Sequence, residues 1–359
     1  MSAERKIRVL VVDDSAVVRR MISEALSADP AIEVVGTACD PYIARDKIIE
    51  LKPDVLTLDI EMPRMDGLTF LKILRQHHPM PVVVISSLTQ AGSTAALTAL
   101  EYGAVDVLAK PTSAWNLGGL REQLAHRVKG AARARLTSFK PTASASADSQ
   151  NLIAADHYSA RQLIVIGAST GGTEAIKDVL ARLPVGLPGI CIVQHIPPVF
   201  SKTFAERLNE TCELEVREAA HGDEVRPGSV LIAPGDFHML VEWDGNAYRV
   251  RLRQDPPMHY VRPAVDVLFN AAAKCAGRQA LGVILTGMGR DGALGMQQLK
   301  SAGAVNLAQN EETCVVYGMP KAAVDLGVVD RVVSLDLMPH AIIHALGFAA
   351  KTGKAVSTQ

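Results

Sequence analysis

The run Ile7-Arg8-Val9-Leu10-Val11-Val12 is apolar apart from Arg8 and ends directly in two aspartates, Asp13-Asp14. Four similar runs follow it, at residues 32–38, 55–58, 82–85 and 105–108. Segments with a helical apolar period alternate with the runs, at residues 16–26, 42–51, 68–77, 94–102 and 120–134. Apolar runs without alternation are typical of strands buried on both faces. Five β–α repeats therefore predict a doubly wound parallel (βα)5 sheet with right-handed crossovers.

The same alternation returns in the second half of the chain. Predicted strands lie at residues 163–166, 190–193, 281–285 and 304–307, and predicted helices at residues 174–183, 202–209, 265–275 and 293–302. Between them, residues 214–253 show short strands and turns, with Pro227-Gly228 and Pro234-Gly235 as turn residues. This pattern predicts a second α/β domain, also doubly wound and mostly parallel.

The length and a change in composition predict where the two domains separate. A chain of 359 residues is long enough for two domains. Residues 137–160 are rich in Ser, Thr and Ala and have no sustained apolar period, which is typical of a linker. We therefore expect a first domain at residues 1–135, a linker at 136–160, a second domain at 161–350 and a frayed tail at 351–359.

Charge, hydropathy and cysteine spacing exclude several classes of protein. The 37 Lys and Arg residues are balanced by 38 Asp and Glu residues, so binding to nucleic acid is not expected. No apolar stretch approaches the ~20 residues that span a bilayer, and no signal pattern is visible, so we expect a cytoplasmic protein without membrane insertion. The five cysteines form no C-x-x-C pair, which argues against a zinc or disulfide framework.

Polar residues follow the predicted strands of the first domain, at the point where each strand ends. They are Asp13 and Asp14 after the first strand, Asp59 after the third, Ser86 and Ser87 after the fourth, and Lys110 after the fifth. The carboxyl ends of parallel strands meet at one edge of the sheet, so these side chains should converge. Neighbouring carboxylates repel each other unless a cation joins them, and oxygen ligands favour Mg²⁺. A lysine and a hydroxyl beside a metal-bound carboxylate suit a phosphoryl group.

Three residues of the second domain have the types and positions of a hydrolytic triad. Ser169 lies in a G-x-S-x-G segment between a predicted strand and a predicted helix, which is the context of a nucleophile elbow. His195 and Asp291 follow two other predicted strands and could serve as the base and its orienting carboxylate. Two alternatives stay open from the residues alone. The glycine-rich turn could bind a dinucleotide phosphate, and the order Ser–His–Asp differs from the Ser–Asp–His order of the α/β-hydrolases.

The motifs of the first domain resemble the receiver domains of two-component response regulators over about residues 5–130. The matching segments are Asp13-Asp14-Ser15, the sequence LDIEMP at residues 58–63 and Ala109-Lys110-Pro111. The resemblance implies that a histidine kinase phosphorylates Asp59. It assigns Mg²⁺ to Asp13, Asp14, Asp59 and the backbone carbonyl of Glu61, phosphoryl binding to Lys110, and the switch hydroxyl to Ser86, with Ser87 as the second choice. Val107 stands where many receivers carry an aromatic residue, so no hydroxyl–aromatic switch is assumed.

The second domain resembles the catalytic domain of the CheB methylesterases over about residues 162–347. The matching segments are IGASTGG at residues 166–172, Gln194-His195-Ile196, APGD at residues 233–236 and TGMGRDG at residues 286–292. The resemblance implies that Ser169 is the nucleophile, His195 the base and Asp291 its partner. It also implies that the backbone N–H of Met288 is an oxyanion donor and that Thr170 has a supporting role.

The implied activity is a phosphorylation-controlled hydrolysis of glutamate methyl esters on chemoreceptors, which releases methanol. The same chemistry could deamidate receptor glutamines, and the sequence does not rank the two reactions. The implied partners are a chemotaxis histidine kinase and methyl-accepting chemoreceptors, with Mg²⁺ for the receiver and no cofactor for the esterase. Phosphorylation is expected to act by shifting a two-state packing of the domains. The alternative is a catalytically inactive receiver scaffold that binds receptors or the kinase.

Overall fold

The computed structural model describes residues 5–110, 117–136 and 158–352. The chain divides into two compact units, Met1–Ser138 and Phe139–Gln359. The predicted domain limits stay a prediction, because residues 137–157 of the predicted linker and residues 353–359 of the predicted tail lie outside the described residues. No helix within the described ranges is both long enough and apolar enough to cross a bilayer.

The first unit is built on a five-stranded parallel sheet with the strand order β2-β1-β3-β4-β5. Its strands are β1 (Ile7–Val12), β2 (Ile32–Ala38), β3 (Val55–Asp59), β4 (Val82–Ser86) and β5 (Asp106–Ala109). The helices are α1 (Ala16–Ser27), α2 (Pro41–Leu51), α3 (Gly67–His77), α4 (Gln90–Glu101) and α5 (Leu117–Ala132). Strands β3 and β4 are buried along their whole length, which explains their unbroken apolar runs. The predicted (βα)5 fold is confirmed.

Helix α4 begins earlier than its apolar period predicts. The period predicts a start at residue 94, whereas the helix begins at Gln90. The Thr89 hydroxyl accepts a hydrogen bond from the Gly92 N–H at 2.9 Å and so caps the first turn. This turn consists of small and polar residues, so hydropathy does not reveal it. The predicted boundary is wrong because the cap, and not the apolar face, determines where the helix starts.

The second unit is built on a seven-stranded parallel sheet with the order β14-β13-β12-β6-β7-β9-β8. Its strands are β6 (Leu163–Ala168), β7 (Ile190–Gln194), β8 (Glu215–Glu218), β9 (Ser229–Ile232), β12 (Ala280–Ile284), β13 (Val305–Gln309) and β14 (Arg331–Val333). A separate antiparallel hairpin pairs β10 (His238–Trp243) with β11 (Tyr248–Arg253). The helices are α6 (Gly172–Leu180), α7 (Phe200–Thr211), α8 (Val265–Cys275), α9 (Ala293–Ser301), α10 (Met319–Asp325) and α11 (Met338–Thr352).

The predicted mostly parallel α/β fold of the second domain is confirmed. Elements α10, β14 and α11 follow the last predicted strand and have no counterpart among the predicted elements. Strand β14 has only three residues, which is too short to stand out as an apolar run.

The strand order brings three loops to one edge of the second sheet. Strand β6 is the first of the unit, and its neighbours are β7 on one side and β12 on the other. A reversal of strand order of this kind opens a crevice at the carboxyl ends of the strands. The loops that follow β6, β7 and β12 carry Ser169, His195 and Asp291, respectively. The fold therefore directs the three predicted triad residues to one crevice.

Candidate functional site

The first unit brings its predicted acidic residues together at the ends of β1 and β3. One carboxylate oxygen from each of Asp13, Asp14 and Asp59 lies within 4.8 Å of the other two. The Lys110 ammonium is 2.7 Å from Asp59 Oδ2 and 3.5 Å from Asp13 Oδ2. Asp13 Oδ2 is buried and has this ionic contact but no hydrogen bond to any residue that the structure describes. An oxygen-only donor set with an unfilled buried acceptor fits a hard divalent cation such as Mg²⁺.

Burial and like charge control the ionisation of this acidic cluster. Burial, with the negative charge of Asp13 as a smaller cause, raises the pKa of Asp59 to about 6, although Lys110 opposes the shift. Burial also raises the pKa of Asp13. Burial would lower the pKa of Lys110, but its hydrogen bond and charge interaction with Asp59 raise it above the usual range. The protein alone therefore leaves these carboxylates short of positive charge.

The other predicted receiver residues surround the cluster with different contacts. The Glu61 N–H donates to Asp59 Oδ1 at 3.1 Å, so the chain turns back onto Asp59 after β3. The Ser86 hydroxyl donates to the Gly92 carbonyl at 3.0 Å, and the Ser87 hydroxyl donates to Glu61 Oε1 at 2.9 Å. Each hydroxyl carries one proton, so neither donates to Asp59 in this conformation. The switch roles of Ser86 and Ser87 stay predictions.

The predicted triad residues of the second unit are in hydrogen-bonding contact. Ser169 Oγ is 3.1 Å from His195 Nδ1, and His195 Nε2 is 2.8 Å from Asp291 Oδ2. All three residues are at least 95% buried, because their exposed fractions are 2%, 5% and 2%. Backbone bonds join the loops: the Ser169 N–H donates to Thr286 O, and the His195 N–H donates to Ala168 O. The folding of separate loops therefore assembles a continuous Ser–His–Asp chain.

Asp291 is surrounded by hydrogen-bond donors. Besides His195, the backbone N–H groups of Val265 and Asp266 donate to its two oxygens at 2.7 and 2.9 Å. These N–H groups lie at the N-terminus of α8, where the helix dipole favours negative charge. Burial opposes ionisation, but the His195 contact and the two backbone bonds outweigh it, so the pKa of Asp291 lies below its usual value. Asp291 is therefore a carboxylate that the protein itself keeps ionised.

The ionised form of Asp291 decides which nitrogen of His195 carries the proton. A carboxylate only accepts hydrogen bonds, so His195 Nε2 must be the donor to Asp291. The lone pair of Nδ1 then faces the Ser169 hydroxyl and can take its proton. In the familiar serine protease template the two ring nitrogens have the opposite partners, but the roles of the three groups are the same.

Gln194 lies in the matched Gln194-His195-Ile196 segment, but no role was predicted for it from the sequence. Its Nε2 donates to the carbonyl oxygens of Ser169 and His195, at 2.9 and 3.3 Å. One buried amide therefore joins the nucleophile loop to the base loop. A Cβ atom on Gly172 would come within 2.1 Å of Gln194 Oε1, so only glycine fits there without rearrangement. The signal in the sequence is weak: Gln194 is the last residue of a buried strand and precedes His195.

The predicted supporting residues lie close to the nucleophile. The Thr170 carbonyl accepts a hydrogen bond from the Thr286 hydroxyl at 3.0 Å, which ties the serine loop to the loop after β12. Met288 belongs to that second loop, and its neighbour Gly287 is so close that a Cβ there would lie 2.8 Å from Ser169 Cβ. The oxyanion role of the Met288 N–H and the supporting role of Thr170 stay predictions.

Comparisons with known proteins match both units. A model of the response regulator receiver domain matches residues 9–119, and a model of the CheB methylesterase matches residues 164–342. The chain is 52% identical over 338 residues to protein-glutamate methylesterase/protein-glutamine glutaminase 2 of Syntrophus aciditrophicus, covering 94% of this chain and 98% of the relative. It is 51% identical over 332 residues to the protein-glutamate methylesterase/protein-glutamine glutaminase of Salmonella typhimurium, covering 92% and 94%.

One solved structure matches the second unit. The crystal structure of the Thermotoga maritima CheB methylesterase catalytic domain is 41% identical, with a TM-score of 0.50, covering 51% of this chain and 97% of that chain. The two matching domains define the class of the protein, which is a response regulator with an enzymatic output domain. The chain belongs to the CheB methylesterase family. This membership confirms both motif resemblances and does not favour the inactive scaffold.

Proposed function

We propose that the protein hydrolyses glutamate methyl esters on chemoreceptors and that phosphorylation of its receiver domain controls this activity. The observation that carries the proposal is the buried chain from Ser169 through His195 to Asp291, with contacts of 3.1 and 2.8 Å. The relatives named above are protein-glutamate methylesterases and protein-glutamine glutaminases, which supports the substrate class. The same site is proposed to deamidate receptor glutamines.

The geometry gives each residue of the triad a role in the reaction. His195 Nδ1 removes the proton of Ser169, and the serine oxygen attacks the ester carbonyl carbon. The Met288 N–H is the proposed donor to the oxyanion, and Asp291 stabilises the imidazolium. His195 then returns the proton to the leaving oxygen, and methanol departs. Water hydrolyses the acyl-enzyme with His195 as base and releases the glutamate carboxylate; with a glutamine substrate, ammonia departs instead.

The acidic cluster of the first unit is the proposed phosphoacceptor site. Asp59 accepts the phosphoryl group from a chemotaxis histidine kinase, and Lys110 binds its oxygens. Asp13, Asp14, Asp59 and the Glu61 carbonyl would hold Mg²⁺, which neutralises phosphoryl oxygens when bound. Ser86 is the proposed switch hydroxyl, with Ser87 as the second choice. A cytoplasmic location is part of this proposal, because the kinase that supplies the phosphoryl group uses ATP.

Two single substitutions test the two sites against each other. Ser169→Ala removes the nucleophile, so methanol release from methylated receptors should be lost while phosphorylation of Asp59 persists. Asp59→Asn removes the phosphoacceptor, so the basal release of methanol should persist while activation by a phosphodonor is lost. A Ser169→Ala protein with the wild-type rate of methanol release would refute the assignment. An inactive scaffold would release no methanol even as the wild-type protein.

A further inference from the structure

A second imidazole–carboxylate pair lies directly behind the triad. Asp266 is in the first turn of α8 and is 1% exposed. Its Oδ2 is 3.0 Å from His259 Nε2, and its Oδ1 accepts a hydrogen bond of 2.6 Å from the Gly295 N–H in the first turn of α9. Oδ1 therefore faces a backbone N–H donor, and Oδ2 faces a ring nitrogen that donates when it carries a proton. The mechanism derived above uses neither Asp266 nor His259.

This pair is in close contact with the carboxylate of the triad. The Asp266 N–H donates to Asp291 Oδ1 at 2.9 Å. A ring nitrogen of His259 and one carboxylate oxygen from each of Asp266 and Asp291 lie within 4.8 Å of one another. Burial and the charge of Asp291 raise the pKa of Asp266, while the bonds from Gly295 and His259 counteract them. Asp291 keeps its charge beside this second acidic group because His195 and two backbone N–H groups donate to it.

We propose that Asp266 and His259 are positioning residues for the hydrolytic reaction, an inference that rests on the proposed function. Asp266 ties the N-terminus of α8 to that of α9, and these two helix ends flank Asp291. His259 holds the remaining oxygen of Asp266. In its ionised form Asp266 would also place a negative charge behind the Asp291–His195 pair, which stabilises the positive charge that the reaction generates there.

Few other titratable groups surround this pair in the described part of the chain. Asp291 faces it from the loop before α9, and His195 reaches it from the end of β7 through Asp291. His238 of β10 contacts the same helix end: its Nδ1 accepts from the Ala264 N–H at 3.2 Å, and its Nε2 donates to Pro256 O at 3.1 Å. These two bonds require the neutral ring, so His238 adds no charge.

The test uses full-length variants and methanol release from methylated receptors as a function of pH. Asp266→Asn keeps the shape of the side chain but removes its charge and one of the two acceptor oxygens that Gly295 and His259 contact. It should lower kcat by about tenfold with little change in KM. It should also move the acid limb of kcat/KM to lower pH, because the triad loses a negatively charged neighbour.

A matched pair of substitutions tests His259. Its φ of 52° lies in the left-handed region, which asparagine tolerates, and the asparagine side chain is too short to reach Asp266. His259→Asn should lower kcat by about threefold, and His259→Gln, whose longer amide can donate to Asp266, should recover the loss. The exposed His221, which contacts Arg251, supplies the control His221→Gln with wild-type kinetics.

The outcomes separate this inference from the proposed function. If Asp266→Asn retains the wild-type kcat and acid limb, the inference is wrong. It is equally wrong if His259→Gln shows the same loss as His259→Asn, and this second comparison decides the matter if Asp266→Asn fails to fold. Failure of the proposed function would look different, because the wild-type protein and Ser169→Ala would then release equally little methanol.

Discussion

Two buried aspartates, Asp59 at the end of β3 in the first unit and Asp291 in the loop after β12 in the second, have pKa shifts in opposite directions. Their exposed fractions are 1% and 2%, so burial opposes the charge of both. The pKa of Asp59 nevertheless rises to about 6, while the pKa of Asp291 falls below its usual value. Asp59 has two acidic neighbours against one lysine and one backbone N–H donor, whereas Asp291 has one acidic neighbour, Asp266, against an imidazole and two backbone N–H donors. The difference therefore comes from the partners and not from burial.

The contrast separates a site that the protein completes from one that the protein leaves short of positive charge. Asp291 has all its donors within the chain and is ready to orient His195 without help. Asp59 and Asp13 share one ammonium, and Asp13 keeps an unfilled buried acceptor. Such an incomplete arrangement suits the proposed phosphoacceptor, because a metal ion and a phosphoryl group would complete it only transiently.

Of the substitutions at the two aspartate sites and their contacts, replacing Asp291 should have the largest effect on catalysis. Asp291→Asn replaces an acceptor of three hydrogen bonds with an amide that must turn its NH₂ group towards at least one donor. We expect kcat for methanol release to fall by about 10³–10⁴-fold, because His195 loses both its tautomer control and the stabilisation of its charge. The measurement is kcat on methylated receptors, with phosphorylation of Asp59 as an internal control. A loss below tenfold would show that Asp291 does not orient the base.

Replacing Gln194 tests whether the triad also depends on the side-chain amide that joins the backbone of Ser169 to that of His195. Gln194→Met keeps the volume but removes the Nε2 donor that joins the Ser169 and His195 carbonyls. We expect kcat to fall by about tenfold with KM nearly unchanged, because a small misplacement of the loops affects the reaction geometry more than substrate binding. The control is Gln298→Met on the exposed face of α9. Equal kinetics for the two variants would remove Gln194 from the site.

The fold could be predicted largely because both sheets are parallel and buried. Unbroken apolar runs locate the strands to within about two residues, and the predicted helix at residues 265–275 coincides with α8. The start of α4 could not be predicted from hydropathy, because the Thr89 side chain sets it. The last three elements of the second unit were missed for a related reason: β14 is very short, and α10 before it and α11 after it do not repeat the earlier pattern.

The parts of the two sites that could be predicted from the sequence are the side chains whose residue type indicates a chemical role. Ser169, His195 and Asp291 each follow a strand in a recognisable motif, and the structure brings them into contact. The donors that keep Asp291 ionised are backbone N–H groups 25 and 26 residues away in sequence, and a backbone group has no signature in the sequence. Asp266 was missed for the same reason, because its importance arises only from its position beside Asp291.

The smallest expected effect concerns stability. A raised pKa for Asp59 means that the folded protein binds the proton of this carboxyl more tightly than the unfolded chain does. The contribution of protonated Asp59 to the free energy of unfolding is therefore complete below the unfolded pKa. It is lost as the pH rises through about 6. Asp59→Asn should therefore raise the free energy of unfolding of the first unit by about 1–2 kcal/mol at pH 8 and by much less at pH 4. Asp291→Asn should do the reverse in the second unit, because a carboxylate with a lowered pKa stabilises the fold above its unfolded pKa.

Calorimetry of the full-length variants at pH 4 and pH 8 checks whether the free energies of unfolding change in these two opposite directions. The control is Asp46→Asn on the exposed part of α2. Mg²⁺ gives a second comparison, because a cation that relieves the repulsion around Asp59 should stabilise the wild-type first unit more than the Asp59→Asn variant. If Asp59→Asn were less stable than the wild type at pH 8, the buried carboxylate would already be satisfied by Lys110. The distinction between a complete and an incomplete site would then fail at Asp59.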